Sequence, residues 1–147
     1  MGLTWICLAA LAGACIALQA AANGSFRLNL NDPRYAAFFS ICGTFVTAIF
    51  AMLALHPKLP ALDLIRAAPW WNWIGGPLGA VIVLAGAALT PRLGAAAFIS
   101  SVVAGQLLCS LVLDSFGLLG IPQQPLSLGR VFGIAMIFGG VLLVRYR

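Results

Sequence analysis

Long apolar segments, separated by short polar or proline-containing connections, dominate the pattern of this chain. Each segment is close to the roughly 20 residues that an α-helix needs to cross a hydrocarbon core about 30 Å thick. The segments cover residues 3–22, 34–55, 70–89, 93–116 and 127–144. The pattern therefore predicts an all-α membrane protein, with residues 1–147 forming a single transmembrane domain built as a bundle of five transmembrane helices.

The first two segments have recognisable ends. The first has no basic residue before its apolar run and is long for a signal core, so we expect it to be retained as a transmembrane helix. We predict that it ends where Asn23 and Gly24 weaken the helix. Asp32 followed by Pro33 is typical of a helix start, since aspartate caps the first turn and proline fits its first position.

The connection before the third segment has an amphipathic pattern. Apolar residues recur at threes within 58–68 and charged residues lie between them, which predicts a short interfacial helix. A cluster of tryptophans follows, a composition typical of the headgroup level of a bilayer. Its members are Trp70, Trp71 and Trp73. We therefore expect the third helix to enter the membrane here.

The third segment contains a predicted helix break at Gly75, Gly76 and Pro77. Interrupted helices line central sites in many transporters, but proline kinks are also common in purely structural helices, and the sequence leaves both interpretations open.

Further on, the sequence predicts a tight turn at 90–92 and a helix cap at Ser127.

Composition agrees with the helix pattern. Hydrophobic residues make up 63% of the chain and charged residues 7%, too few to cover a water-soluble globule, so the lipid bilayer is the expected partner. The net charge of +5 is scattered rather than gathered into a patch, which argues against nucleic acid. An odd number of helices with nearly balanced loop charges leaves dual topology open.

The fourth segment carries the main candidate site. Gln106, Ser110 and Asp114 are spaced four apart, so they lie along one helical face. Polar groups in a bilayer are costly unless they face protein, water or solute, and a substrate-binding stripe is one interpretation. The alternative is that Gln106 and Ser110 form hydrogen bonds between helices while Asp114 is hydrated at the helix end.

Gln19 and Asn23 form a second pair with the same spacing, near the end of the first segment. They either line the same cavity as the fourth segment, or Asn23 simply terminates its helix.

Nothing in the sequence favours an enzyme, a metal site or a cofactor. The single histidine, His56, lies beside a proline, and no nucleophile–base set or phosphate-binding loop is present. The four cysteines fall in apolar runs without metal-ligand spacing, and we interpret them as small packing residues.

Several ordered motifs nonetheless resemble a known family. They are Ala17-Leu18-Gln19 with Asn23, Ala67-Ala68-Pro69-Trp70-Trp71, Pro91-Arg92-Leu93-Gly94-Ala95-Ala96, Val103-Ala104-Gly105-Gln106-Leu107, Leu113-Asp114-Ser115-Phe116-Gly117-Leu118-Leu119-Gly120 and Pro125-Leu126-Ser127. Together they resemble the YdcZ-type five-span family of the drug/metabolite transporter superfamily, and they cover nearly the whole chain.

The resemblance implies a bacterial inner-membrane protein that forms half of a ten-helix inverted-repeat assembly. It also implies a homodimer, which could be antiparallel, or pairing with a homologous subunit. Four-helix multidrug exporters of the same superfamily use a membrane glutamate for proton exchange. This chain contains no glutamate, so a proton-coupled cation exporter is disfavoured.

Our main hypothesis is a transporter subunit that moves an unidentified small-molecule substrate by alternating access. The alternative hypothesis is a non-transporting accessory or assembly module, whose polar residues serve helix packing alone.

Overall fold

The computed structural model describes residues 2–146, and every regular element in that range is helical. The elements are α1 (Gly2–Leu30), α2 (Pro33–Leu55), α3 (Leu62–Arg66), a 3-10 helix (Trp70–Trp73), α4 (Gly75–Leu93), α5 (Ala95–Phe116), a 3-10 helix (Leu118–Gly120) and α6 (Leu128–Tyr146). Within this range, 5 segments are long and apolar enough to cross a membrane: α1, α2, Trp70–Leu93, α5 and α6. The prediction of five apolar helices is confirmed.

The chain divides into two compact units, one up to Ala88 and one from Leu89 onward. In the first unit α1 packs against α2, and we call this pair the first hairpin. Its buried positions lie near the connection between the two helices and are mostly small: Ala20, Asn23, Gly24, Ala36 and Ala37. Small side chains let two helix backbones approach closely, which explains the packing at this end.

The turn of the first hairpin forms as its sequence predicts. Asn31 adopts a left-handed conformation, with φ of 56°, and ends α1. The Asp32 carboxylate accepts a hydrogen bond from the backbone N–H of Arg34 at 2.8 Å, and Pro33 is the first residue of α2. The predicted start of the second helix is therefore confirmed.

The predicted end of the first helix at Asn23 and Gly24 is wrong, because α1 continues to Leu30. Both residues are buried, and packing offsets the intrinsic cost of glycine in a helix, which is about 1 kcal/mol. The extra turns carry Arg27, whose guanidinium donates a hydrogen bond to the Ala88 carbonyl at 3.4 Å. Tertiary contact thus overrides local propensity at this position.

The interruption before α4 lies at Ile74, between the 3-10 helix and the α-helix. Gly75, Gly76 and Pro77 occupy the first turn of α4 rather than breaking a continuous helix. Proline is tolerated there because its missing N–H would have no partner within the helix. The backbone N–H of Leu78 bonds to the Ile74 carbonyl at 3.0 Å, which carries the helix past Pro77.

The tight turn predicted at residues 90–92 is also wrong. Pro91 lies inside α4, which continues to Leu93, and the chain turns at Gly94 instead. Gly94 has φ of 83°, a conformation that a residue with a side chain rarely adopts. Pro91 removes one backbone hydrogen bond near the helix end, and that loss is small enough for α4 to continue.

In the second unit α5 packs against α6, and we call this pair the second hairpin. The Ser127 hydroxyl accepts a hydrogen bond from the backbone N–H of Arg130 at 3.3 Å, so the predicted cap of the last helix is confirmed. The short helix α3 lies within the predicted interfacial segment 58–68, whose position at the membrane surface stays a prediction.

Candidate functional site

The polar face predicted on the fourth apolar segment forms on α5, a single uninterrupted helix. Ser110 and Asp114 line one groove of the second hairpin. Gln106 lines an adjoining recess that shares Ser110 with the groove. The structure therefore brings these three predicted residues together along one side of α5, and it opens that side into a concave surface.

The groove lies between α5 and α6 and has a volume of about 320 Å³. It is lined by Leu107, Ser110, Leu111, Asp114, Arg130, Gly133, Ile134 and Ile137. The charged residues are close to the connection between the helices, and the aliphatic residues extend away from it. The groove is thus amphipathic along its length, with one charged end and one apolar end.

Arg130 is a groove residue that the sequence pattern does not single out, because one arginine near a helix start is typical of the charges that orient a membrane protein. Its guanidinium contacts the Asp114 carboxylate at 3.3 Å through a single nitrogen–oxygen pair. Both side chains keep partial access to solvent, with 39% of Arg130 and 30% of Asp114 exposed. The pair could have been identified from the sequence, because an acidic residue near the end of one helix and a basic residue near the start of the next can come close together.

The connection between α5 and α6 folds back over the end of α5. The backbone N–H of Gln124 bonds to the Asp114 carbonyl at 2.8 Å, and the Gln123 side-chain amide donates to the Ser115 carbonyl at 2.8 Å. Gly117 ends α5 in a left-handed conformation, with its N–H bonded to the Leu113 carbonyl. These bonds satisfy carbonyls that the end of a helix normally leaves unpaired. The connection beside the charged end of the groove is therefore held in place by hydrogen bonds.

Two polar side chains of the groove region have no intramolecular partner. Between residues 2 and 146 no hydrogen bond is made by the side chain of Gln106 or Ser110, although Ser100, Ser101 and Ser115 on the same helix all bond to backbone carbonyls. Both unpaired side chains are exposed on the subunit. In a bilayer such groups require water, a solute or another chain, because lipid tails offer no hydrogen bonds.

In the first unit, Gln19 is exposed and Asn23 is buried, with 7% of its surface accessible. The Asn23 side-chain nitrogen has no hydrogen-bond partner among the described residues. Asn23 therefore does not terminate its helix, and it is a buried polar group that needs a partner. Its convergence with the α5 face stays a prediction, as does a substrate-binding role for Gln19.

Thr90 is a second buried residue whose side-chain oxygen lacks a partner within the described range. The sequence predicts a turn at this residue, and turn residues are usually exposed, so its burial was not expected. Cys7, Cys15, Cys42 and Cys109 are exposed on apolar helices of the single subunit, so their role as packing residues stays a prediction. Residues 2–146 contain no cluster of side chains able to hold a metal ion.

A second ion pair lies at the turn of the first hairpin. The Arg34 guanidinium donates three hydrogen bonds to the Asp32 carboxylate, the shortest at 2.6 Å. These bonds hold the pKa of Asp32 below its ordinary value. Arg34 also borders an open apolar recess with Tyr35, Phe38 and Phe39, while its Nε and Nη2 atoms bond to Asp32.

Comparisons with known proteins agree with this architecture. The model of the family described as "Putative inner membrane exporter, YdcZ" matches residues 4–143. The chain is 35% identical over 85 residues to "Inner membrane protein YdcZ" of Escherichia coli (strain K12), an alignment that covers 58% of this chain and 56% of the E. coli protein. No solved structure matches. A family match over nearly the whole chain, together with the five apolar helices, places this multi-pass inner-membrane protein in the YdcZ family.

Proposed function

We propose that the protein is a transporter subunit of the drug/metabolite transporter type, which moves a small metabolite across the inner membrane by alternating access. The observation that carries this proposal is the polar face of α5, where Gln106 and Ser110 are exposed without intramolecular partners beside an amphipathic groove. A solute pathway supplies the water and polar contacts that these groups require in a bilayer. The residues that we propose to line the substrate site are Gln19, Asn23, Gln106, Ser110 and Asp114.

We also propose that the working unit is a dimer, with subunits in opposite orientations, equivalent to the ten-helix inverted repeat of larger carriers. Long stretches of α1 and α2, residues 2–16 and 41–50, are exposed on the subunit and leave room for a second copy or lipid. The change from 3-10 to α-helix at Ile74, followed by Gly75 and Gly76, provides an element able to bend during alternating access. Inverted repeats of this kind place the substrate between two halves that rock against each other.

The test is transport by the purified protein in proteoliposomes, with a panel of carboxylates, amino acids, nucleosides, sugars and organic cations. We expect at least one class to be transported, and Gln106→Leu to reduce that flux roughly tenfold or more, because an apolar side chain cannot replace the amide contacts. Ser101→Ala is the matched control, since Ser101 is exposed on the same helix, lines neither the groove nor the recess, and has its hydroxyl already bonded to the Ala97 carbonyl at 2.8 Å.

The same experiment distinguishes transport from the alternative function, a non-transporting assembly module. In that case Gln106→Leu disrupts the dimer, measured by crosslinking in membranes, and the wild-type protein transports no member of the panel. Loss of flux with an intact dimer supports transport.

A further inference from the structure

We propose that the groove between α5 and α6 binds a small amphipathic organic anion, with Arg130 contacting the anionic group and Asp114 acting as its internal competitor. This inference rests on the proposed transport function and names the substrate class of that site. Four features of the second hairpin support it: the helix ends that carry the charges, the pairing of backbone groups there, the geometry of the ion pair and the shape of the groove.

Each charge of the pair lies at the helix end that disfavours it. Asp114 is in the last turn of α5, where the helix dipole is negative, and Arg130 is in the first turn of α6, where it is positive. Neither charge improves the stability of its own helix. Their positions are instead explained by what they face, which is each other and the groove.

The backbone groups near the pair favour an anion over a cation. At the α5 end, hydrogen bonds from Gly117, Gln123 and Gln124 occupy the carbonyls of residues 113–115, so these acceptors are not free for a cation. At the α6 end, among the described residues, no partner accepts the backbone N–H of Leu128 or Gly129. Unpaired N–H groups are usual at a helix start, and the positive end of the α6 dipole, where Arg130 lies, favours negative charge.

The ion pair itself is open to exchange. A single contact at 3.3 Å joins Arg130 to Asp114, and the other guanidinium nitrogens have no partner in the part of the chain that the structure describes. Arginine can hold a carboxylate through two parallel hydrogen bonds, which are stronger than one. A ligand carboxylate can therefore displace Asp114 and gain contacts that the internal pair does not make.

The rest of the groove fits the apolar part of such a ligand. Its volume of about 320 Å³ lies within the range of small-molecule sites, and its wall away from the charged end is aliphatic. Gly133 lines the groove, and a Cβ added at this position would meet no atom within 4 Å, so the space beside it is open. A short hydrocarbon chain ending in a carboxylate matches both the charge and the shape.

The test measures equilibrium binding of radiolabelled hexanoate to the protein in phosphatidylcholine nanodiscs, with hexylammonium and hexanol as competitors of equal length. Binding in nanodiscs does not depend on orientation in the membrane, so changes of charge that alter insertion do not confuse the result. We expect saturable binding of hexanoate, with Arg130→Gln weakening it about tenfold or more and Arg130→Lys weakening it less.

Asp114→Asn is the decisive variant, because we expect it to strengthen binding severalfold by removing the competing charge. A purely structural ion pair predicts that Asp114→Asn and Arg130→Gln change binding in the same direction, and that result would overturn the proposal. Asp32→Asn and Arg34→Gln are the matched controls at the other ion pair, and binding should be unchanged in both. Size-exclusion chromatography and circular dichroism confirm that each variant is folded.

Two further outcomes would also overturn the proposal. One is hexylammonium binding in place of hexanoate. The other is native mass spectrometry showing an anionic phospholipid held through Arg130 that hexanoate does not displace. Flux of another solute class without hexanoate binding would reject the anion site while leaving the transport function intact, so the two proposals fail separately.

Discussion

In the first hairpin, Asp32 and Arg34 are two residues apart and form three side-chain hydrogen bonds, whereas in the second hairpin Asp114 and Arg130 are 16 residues apart and form one. The first pair is local: Asp32 caps α2, and Arg34 neutralises the cap. The second pair joins two helices across a groove and leaves most of the guanidinium unused. An aspartate–arginine pair can therefore stabilise a turn in one place, while in another it leaves guanidinium nitrogens free for a ligand.

The largest expected effect comes from exchanging the charges of the second pair, in the double variant Asp114→Arg with Arg130→Asp. The ion pair is kept, and each charge now lies at the helix end that favours it, so we expect thermal stability to be retained or raised. The flux of an anionic substrate should fall roughly tenfold or more, because a carboxylate now occupies the anion position. Proteoliposome transport and thermal unfolding in detergent measure the two effects.

The corresponding exchange at the first pair, Asp32→Arg with Arg34→Asp, removes the cap of α2 but should leave flux within about twofold of wild type. Equal loss of flux in both exchanges would contradict the distinction between the two pairs.

A smaller effect is expected from filling the groove. Gly133→Leu should reduce substrate binding severalfold, because the new side chain projects into open space between α5 and α6. Gly139→Leu is the matched control, because Gly139 is further along the same helix, an added Cβ there would also meet no atom within 4 Å, and Gly139 does not line the groove. Binding that falls equally in both variants would show that helix substitution, and not groove volume, is responsible.

Gly117→Ala tests the connection between α5 and α6 that lies beside the charged end of the groove. Gly117 has φ of +61°, and an added Cβ would lie 3.3 Å from the Cβ of Gln123. We expect a loss of about 1 kcal/mol in the free energy of unfolding, with weaker binding because the connection shifts. Gly79→Ala, inside α4 with open space around it, should be neutral or stabilising in the same thermal measurement.

The smallest effect concerns pH at the first turn. The pKa of Asp32 is lowered by its hydrogen bonds to Arg34, so the stabilisation is present above the ordinary aspartate pKa, near 3.8. It is lost as pH falls through the lower pKa of the folded state. The melting temperature of Asp32→Ala should thus be slightly below that of the wild type at neutral pH, and the two melting temperatures should converge in acid. A difference that persists at low pH would mean that the carboxylate charge is not the cause.

Local signals accounted for much of the helical architecture. Asp32 with Pro33 marked the start of α2, and Ser127 marked the start of α6, because capping depends on neighbouring residues. The same local reasoning failed at Asn23 with Gly24 and at Pro91, where helices continue through residues that usually end them. In both places, contacts from distant parts of the chain or the position of the residue within its helix determine whether the helix continues.

The sequence by itself determined that this chain is a membrane protein with five apolar helices and a polar face on the fourth, since hydropathy and helical spacing are properties of neighbouring residues. Only the tertiary structure decided that Arg130 lies against Asp114 and that Gly133 faces open space between α5 and α6. It also decided that Asn23 is buried rather than at a helix end. These outcomes depend on which helix faces pack together, and this information is distributed over residues far apart in the chain.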